Sequence, residues 1–442
     1  MDSSGRHHPR VLSDPGKEDR SQHGVPVVPA FDGYRAFAIM SIVLLHVITT
    51  AGVTARAGGS AGGQLIWGTL PQFVDILFVV SGFVVFLPTV AAAGRFGSVG
   101  SYAIRRAARL LPAFWLSLVV LLIAIVAVGA TGPDLAETGL NILGLQSIAA
   151  MIDPDLAIGF GINLPLWTLT VEITFYVLLA VIATSYYRHP ILGLAIAAAV
   201  SIVWREGFAH LDDLASVVGA HPDPARLFEL RLASGNQLPS WLFSFACGMT
   251  GAWAYVRLRR EIEPARLQPA ARLVAIGALA ALAICVVLAG RYAIDNPFPL
   301  PALIARESWA LNLGYSASLS VLMISLALAP RRMQIPFALP FARSLGDISY
   351  GVYLIHTVVM FVILSELSLP TDGSFGAVVE WFGLVVPVSL VYGYLSARFF
   401  EQPIRRWARR YGRRTAQPAV PTGAPQAHQA RQARRASESA GG

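Results

Sequence analysis

"FDGYRAFAIMSIVLLHVIT", residues 31–49, decides the fold. It places Arg35 near one end, runs almost unbroken apolar for the next ten residues, and then holds a lone histidine, His46. An apolar stretch of about 20 residues is what a helix needs to cross a bilayer. Similar stretches recur along the 442-residue chain, which is 55% hydrophobic and only 14% charged. Mean hydropathy is +0.57. Soluble domains carry about 25% charged residues. The chain therefore reads as all-α, a polytopic integral membrane bundle with both termini cytoplasmic.

Ten spans are expected, near residues 33–53, 70–91, 111–130, 166–186, 190–204, 238–256, 272–290, 308–329, 346–367 and 376–399. The fifth is the shortest. The arginines orient them. With the N-terminus inside, Arg95, Arg105, Arg106, Arg109, Arg188, Arg257, Arg259, Arg260, Arg331, Arg332 and Arg343 fall on inner segments. The outer loop 131–165 has no Lys or Arg and four acidic residues. This bias is the positive-inside pattern, and it suits an even number of spans. The formal net charge of +8 then reflects inner loops facing anionic lipid, with no nucleic-acid partner implied.

Residues 1–29 are polar and lack the apolar core of a secretory signal, so the first apolar helix is expected to remain in the mature chain. They and residues 413–442 are expected to be disordered cytoplasmic segments around a transmembrane domain at 30–412. Cys247 and Cys285 both lie in apolar segments and imply neither a disulfide framework nor a metal site.

Polar groups in hydrocarbon are costly and usually face the bundle interior. Arg35 and His46 are eleven residues apart, close to three turns, so they share a helix face about 16 Å apart. They cannot touch. Glu172, in "LPLWTLTVEITFYVLL", has a depth similar to that of His46. The expectation is that its carboxylate pairs with the imidazole and fixes its tautomer. Tyr176 lies at i+4 from Glu172. In "PQFVDILFVVSGFVVF", Asp75 and Ser81 are candidate cavity groups, Gly82 a close-packing site. Ser81 has no nucleophile context. In "GDISYGVYLIHTVVM", Ser349, Tyr353 and His356 share a face. His356 either lines the same cavity or is a bonded core group. Arg105, Arg106 and Arg109 in "YAIRRAARLLPAF" group on the inner side. "FFEQPIRRWARR" adds Arg405 and Arg406, with Glu401 placed to pair with Arg405. Together with Arg35 these could form a basic mouth suited to polyphosphate.

Six segments, in order, resemble the signature stretches of the membrane-bound acyltransferase-3 family: "FDGYRAFAIMSIVLLH", "VDILFVVSGF", "RRAARLLPAFW", "LWTLTVEITFY", "ISYGVYLIHTVV" and "FEQPIRRW". The resemblance spans roughly residues 30–407, and the family's arginine, ten residues, histidine motif falls on Arg35 and His46. It implies transfer of an acyl group, commonly acetyl, from cytoplasmic acyl-CoA (acetyl-CoA) as cosubstrate. The acceptor would be a hydroxyl of a glycan, glycolipid or secondary metabolite. No cofactor would be permanently bound, and the setting would be a bacterial plasma membrane. His46 and Glu172 are the expected catalytic pair; Arg35, Arg105, Arg106 and Arg109 would hold the donor. Where many members read "VEEQFY", this chain reads "VEITFY", closer to the branch with macrolide acyltransferases. Many envelope members carry an additional esterase-like domain, which is not expected here. A transporter or flippase of a lipid-linked sugar or metabolite is the competing reading. Against it, the chain shows no inverted repeat and no matched pair of broken helices.

Overall fold

The computed structural model describes residues 28, 30–53, 60, 62, 66, 70–152, 164–292 and 308–413. Apart from residues 28 and 413, the segments expected to be disordered lie outside the described residues. Ten long helices follow the expected spans. They are α1 (Ala30–Thr50), α2 (Phe73–Ala91), α3 (Val99–Ala127), α4 (Trp167–Arg188), α5 (Pro190–Ala209), α6 (Leu238–Glu261), α7 (Pro264–Tyr292), α8 (Ser308–Leu328), α9 (Pro340–Glu366) and α10 (Phe375–Ser396). A π-helical turn, Ala397–Glu401, leads into α11 (Gln402–Arg413). No strand occurs among the described residues.

Local chemistry sets the boundaries. Ser98 caps α3, its side chain accepting from the Ser101 amide, and Ser374 caps α10 in the same way. Proline opens α5 and α9, where the missing amide hydrogen is not needed. The cap at Ser98 starts α3 twelve residues before the expected apolar boundary at 111, so its arginines ride on the helix instead of a loop. The expected fifth span, 190–204, is short only in its apolar part. Its helix runs on to Ala209 with Arg205 buried.

Nine described helices are long and apolar enough to cross a membrane. The exception among the ten is α6, and its surroundings explain why. It packs against α2, α4, α5 and α8, so protein replaces lipid on most of its surface. Its small residues serve contact. A Cβ on Gly248 would lie 2.1 Å from the Val79 carbonyl oxygen, and one on Gly82 would lie 2.2 Å from that of Phe245. The α2–α6 backbones meet closely, as small residues allow in membrane bundles. Phe175 and Phe245 stack beside this crossing, with ring centroids 3.9 Å apart. The second half of the bundle is α1 packed on α9 and α10, with α3 against α9 and α11. α2 touches both halves.

Candidate active site

A cavity of about 580 Å³ opens among α1, α2, α3, α4, α9 and α11. Its mouth is basic. Arg35, Arg109, Arg406, Arg409 and Arg410 line it, with Arg405 beside them. Asp32, Asp347 and Glu401 offset part of this charge. Asp32 is 3.9 Å from Arg35, one turn back on the same helix. Glu401, fully buried, pairs with Arg405 and accepts from Ser396. The Glu401–Arg405 pair is the one expected from their spacing. The π turn just before α11 shifts its helical phase relative to α10, and arginines 405, 406, 409 and 410, at i, i+1, i+4 and i+5, all reach the cavity.

Deeper in, Ser81 donates to Glu172 at 2.8 Å, and Tyr176 donates to the same carboxylate oxygen. Thr168, Ser349 and Tyr353 also belong to the polar lining. The hydroxyls of Thr168 and Tyr353 are 2.9 Å apart, and both lie within reach of the Pro165 carbonyl. Ser349 donates to Gly346 one turn back.

His46 and His356 are not among the lining residues. His46 Nδ1 lies 2.8 Å from His356 Nε2, and the rings are nearly parallel, 16° apart. His356 is fully buried and its Nδ1 lies 2.7 Å from the Tyr353 carbonyl. The histidine pair thus sits one turn along α9 beyond Tyr353 at the cavity wall. The expected His46–Glu172 pair does not form. Similar positions within their spans do not bring the two residues together, and Glu172 lies within electrostatic reach of Arg35 instead. α1 packs on α9, whose partner group is His356, while Glu172 on α4 meets α2 through Ser81.

Asp75 is a second correction. It does not face the cavity. It is fully buried on the other side of α2, accepting from Ser244 at 2.7 Å, Ser316 at 2.5 Å and Asn312 at 3.5 Å. Arg205 lies within electrostatic reach, donating to the Ser240 carbonyl and stacking over Trp241.

The α3 arginines separate. Arg109 lines the cavity. Arg106 lies over the rings of Tyr102 and Tyr176, at 5.6 and 5.4 Å, and so borders Tyr176 from behind. Arg105, one turn farther out than Arg109, is exposed and outside the cavity, contrary to its expected role. Arg409 and Arg410 were not singled out from the sequence. Their helical spacing from Arg405 and Arg406 is the signal that points to them. Among the described residues no three of His, Cys, Asp and Glu gather as a metal site.

Residues 28–397 match the family model described as an acyltransferase domain, acyltransferase-3. The peptidoglycan O-acetyltransferase OatA of Listeria monocytogenes is 24% identical over 402 residues, covering 86% of this chain and 56% of that protein. Nodulation protein 10 of Rhizobium leguminosarum is 26% identical over 404 residues, covering 84% of this chain and 92% of that protein. The chain spans about half the length of OatA. No solved structure matches it. The motif order, the multi-pass helical bundle and the match across most of the sequence converge: the chain belongs to the acyltransferase-3 family.

Proposed function

We propose that this multi-pass membrane protein is an O-acyltransferase that moves an acyl group, acetyl in the simplest case, from acyl-CoA to a hydroxyl of an envelope glycan. The observation that carries the reading is a mouth of guanidinium groups leading into a cavity that ends one helical turn short of a paired histidine. Guanidinium groups match phosphate oxygens bidentately. The phosphates would rest against Arg35, Arg109 and the α11 arginines, and Arg106 would support Tyr176 from behind. The pantetheine arm would run past Ser81, Glu172 and Tyr176, whose carboxylate can accept from an amide N–H. Orientation follows the positive-inside bias, with the mouth facing the cytoplasm of a bacterial cell.

His46 supplies the nitrogen that takes the acceptor's proton, or the acyl group itself. Peptidoglycan is the acceptor named for the Listeria relative. A glycosylated metabolite stays in the acceptor panel because of "VEITFY". The test is purified protein in detergent with labelled acetyl-CoA and that panel. Transfer by the native protein and its loss in His46→Ala is expected; transfer undiminished in His46→Ala would overturn the assignment. Label retained on the native protein without acceptor, and absent from His46→Ala, would mark an acyl-histidine.

A further inference from the structure

The contacts around His356 fix where the hydrogens lie. Its Nδ1 faces the Tyr353 carbonyl at 2.7 Å, and a carbonyl oxygen can only accept, so Nδ1 carries hydrogen. A neutral imidazole has one N–H, which leaves Nε2 of His356 as a lone pair. His46 Nδ1, 2.8 Å away, must then be the donor. That leaves Nε2 of His46 without hydrogen. The opposite arrangement would need His356 protonated on both nitrogens. That is a cation with no solvent exposure, and such an unpaired charge is expensive to bury.

We propose that His356 is the positioning residue of the transfer: the chain Tyr353 carbonyl, His356, His46 holds His46 in its Nδ1–H tautomer and presents Nε2 as the reacting atom. The inference rests on the transferase reading above. In direct transfer, Nε2 takes the hydroxyl proton as the acceptor oxygen bonds to the acyl carbon. The carbon–sulfur bond breaks, and the thiolate recovers that proton to leave as free thiol. The imidazolium formed in between keeps its Nδ1–H on a neutral nitrogen, a role a carboxylate fills in other nucleophile–base arrangements. The near-parallel rings, 5.0 Å between centroids, hold that bond in register. Sequence spacing could not show this, because the two histidines are 310 residues apart.

The test compares three substitutions. The amide of Gln reaches as far as histidine Nε2, whereas that of Asn reaches only as far as Nδ1. His356→Gln can therefore still accept from His46, and His356→Asn and His356→Ala cannot. His356→Ala and His356→Asn should lose on the order of 10²–10⁴ in kcat, the usual size of general-base help. KM for acetyl-CoA should hold, because the arginines are untouched. His356→Gln should recover most of the loss. Native kcat in His356→Ala or His356→Asn, or His356→Gln as poor as His356→Ala, would overturn the proposal.

Nitrogen NMR on native protein labelled in histidine covers the case in which the variants fail to fold. Hydrogen on Nδ1 and a bare Nε2 at His46 is required, and the reverse tautomer refutes it. That readout needs no turnover. Absence of transfer to any acceptor, with the tautomer as stated, would defeat the transferase reading. Transfer with the reverse tautomer would defeat only the role of His356.

Discussion

The arginines divide into those the cavity uses and those it does not, and this separates specific donor binding from a general basic surface. Arg35→Ala removes a guanidinium held only loosely, 3.9 Å from Asp32, with 18% of its side chain exposed. A hydrogen bond to a charged group contributes about 1.5–3 kcal/mol, and a tenfold change in affinity corresponds to about 1.4 kcal/mol. Partial exposure moves the expectation toward the lower figure. KM for acetyl-CoA should therefore rise roughly 10-fold, with kcat within a factor of about two, since uniform binding affects KM alone. Arg409→Ala should act in the same direction. Arg105→Ala, equal in charge lost but outside the cavity, should leave KM within about twofold. The assay is initial rates against donor concentration at two ionic strengths, so that screening of surface charge is visible. If Arg105→Ala weakens the donor as much as Arg35→Ala, the mouth is not the binding site and the reasoning fails.

Gly248→Leu forces a branched side chain into backbone 2.1 Å away, so α2 and α6 must separate. Overpacking costs about 1–3 kcal/mol or more, and melting in detergent should fall by several degrees or the protein should fail to assemble. Asp75→Ala strips the shared acceptor from Ser244, Ser316 and Asn312; Ser244 and Ser316, 2.7 Å apart, can still bond each other, and each buried donor left over costs about 1–3 kcal/mol. Its thermal stability should drop while the surviving protein keeps a native KM for acetyl-CoA; a raised KM would connect this cluster to the cavity. Glu172→Gln keeps an acceptor for Ser81 and Tyr176 and has no bond to His46. The nitrogen spectrum of His46 should be unchanged, and an altered tautomer would restore the pairing expected from depth.

How much could be read beforehand follows from what periodicity encodes. All ten long helices were legible, because an apolar run of bilayer length has few alternatives in water. α6 was legible too, although its composition falls short of a lipid-facing span. Order along α1 was also readable: Arg35 lines the cavity and His46 lies beyond its wall, as their eleven-residue spacing places them. What the pattern does not carry is which neighbour a face meets. Glu172, Asp75 and His356 each read in the sequence only as a polar group inside a span. Asp75 met Ser244 and Ser316, Glu172 met Ser81 and Tyr176, and His356 met His46, each chosen by helix packing between distant segments. Arg105 failed for another reason: an i, i+4 pair shares a face, but one turn, about 5.4 Å along the axis, carried it past the end of the cavity.

That last distance bears on why one helix supplies both Arg35 and His46. About 16 Å of helix separates them, with Arg35 and Ile39 on the cavity wall and His46 beyond it. A rigid α1 therefore fixes the distance between the charged end and the reacting end of the proposed donor, without reliance on loop positions. The polar lining nearest His356 includes the Thr168–Tyr353 contact. The Thr168 and Tyr353 hydroxyls can part while Thr168 keeps the Pro165 carbonyl as its acceptor. His356 bonds to the Tyr353 backbone and not to its hydroxyl. The carbonyl that holds the histidine pair is therefore independent of the tyrosine ring's position, so movement of that ring need not disturb the His46 tautomer.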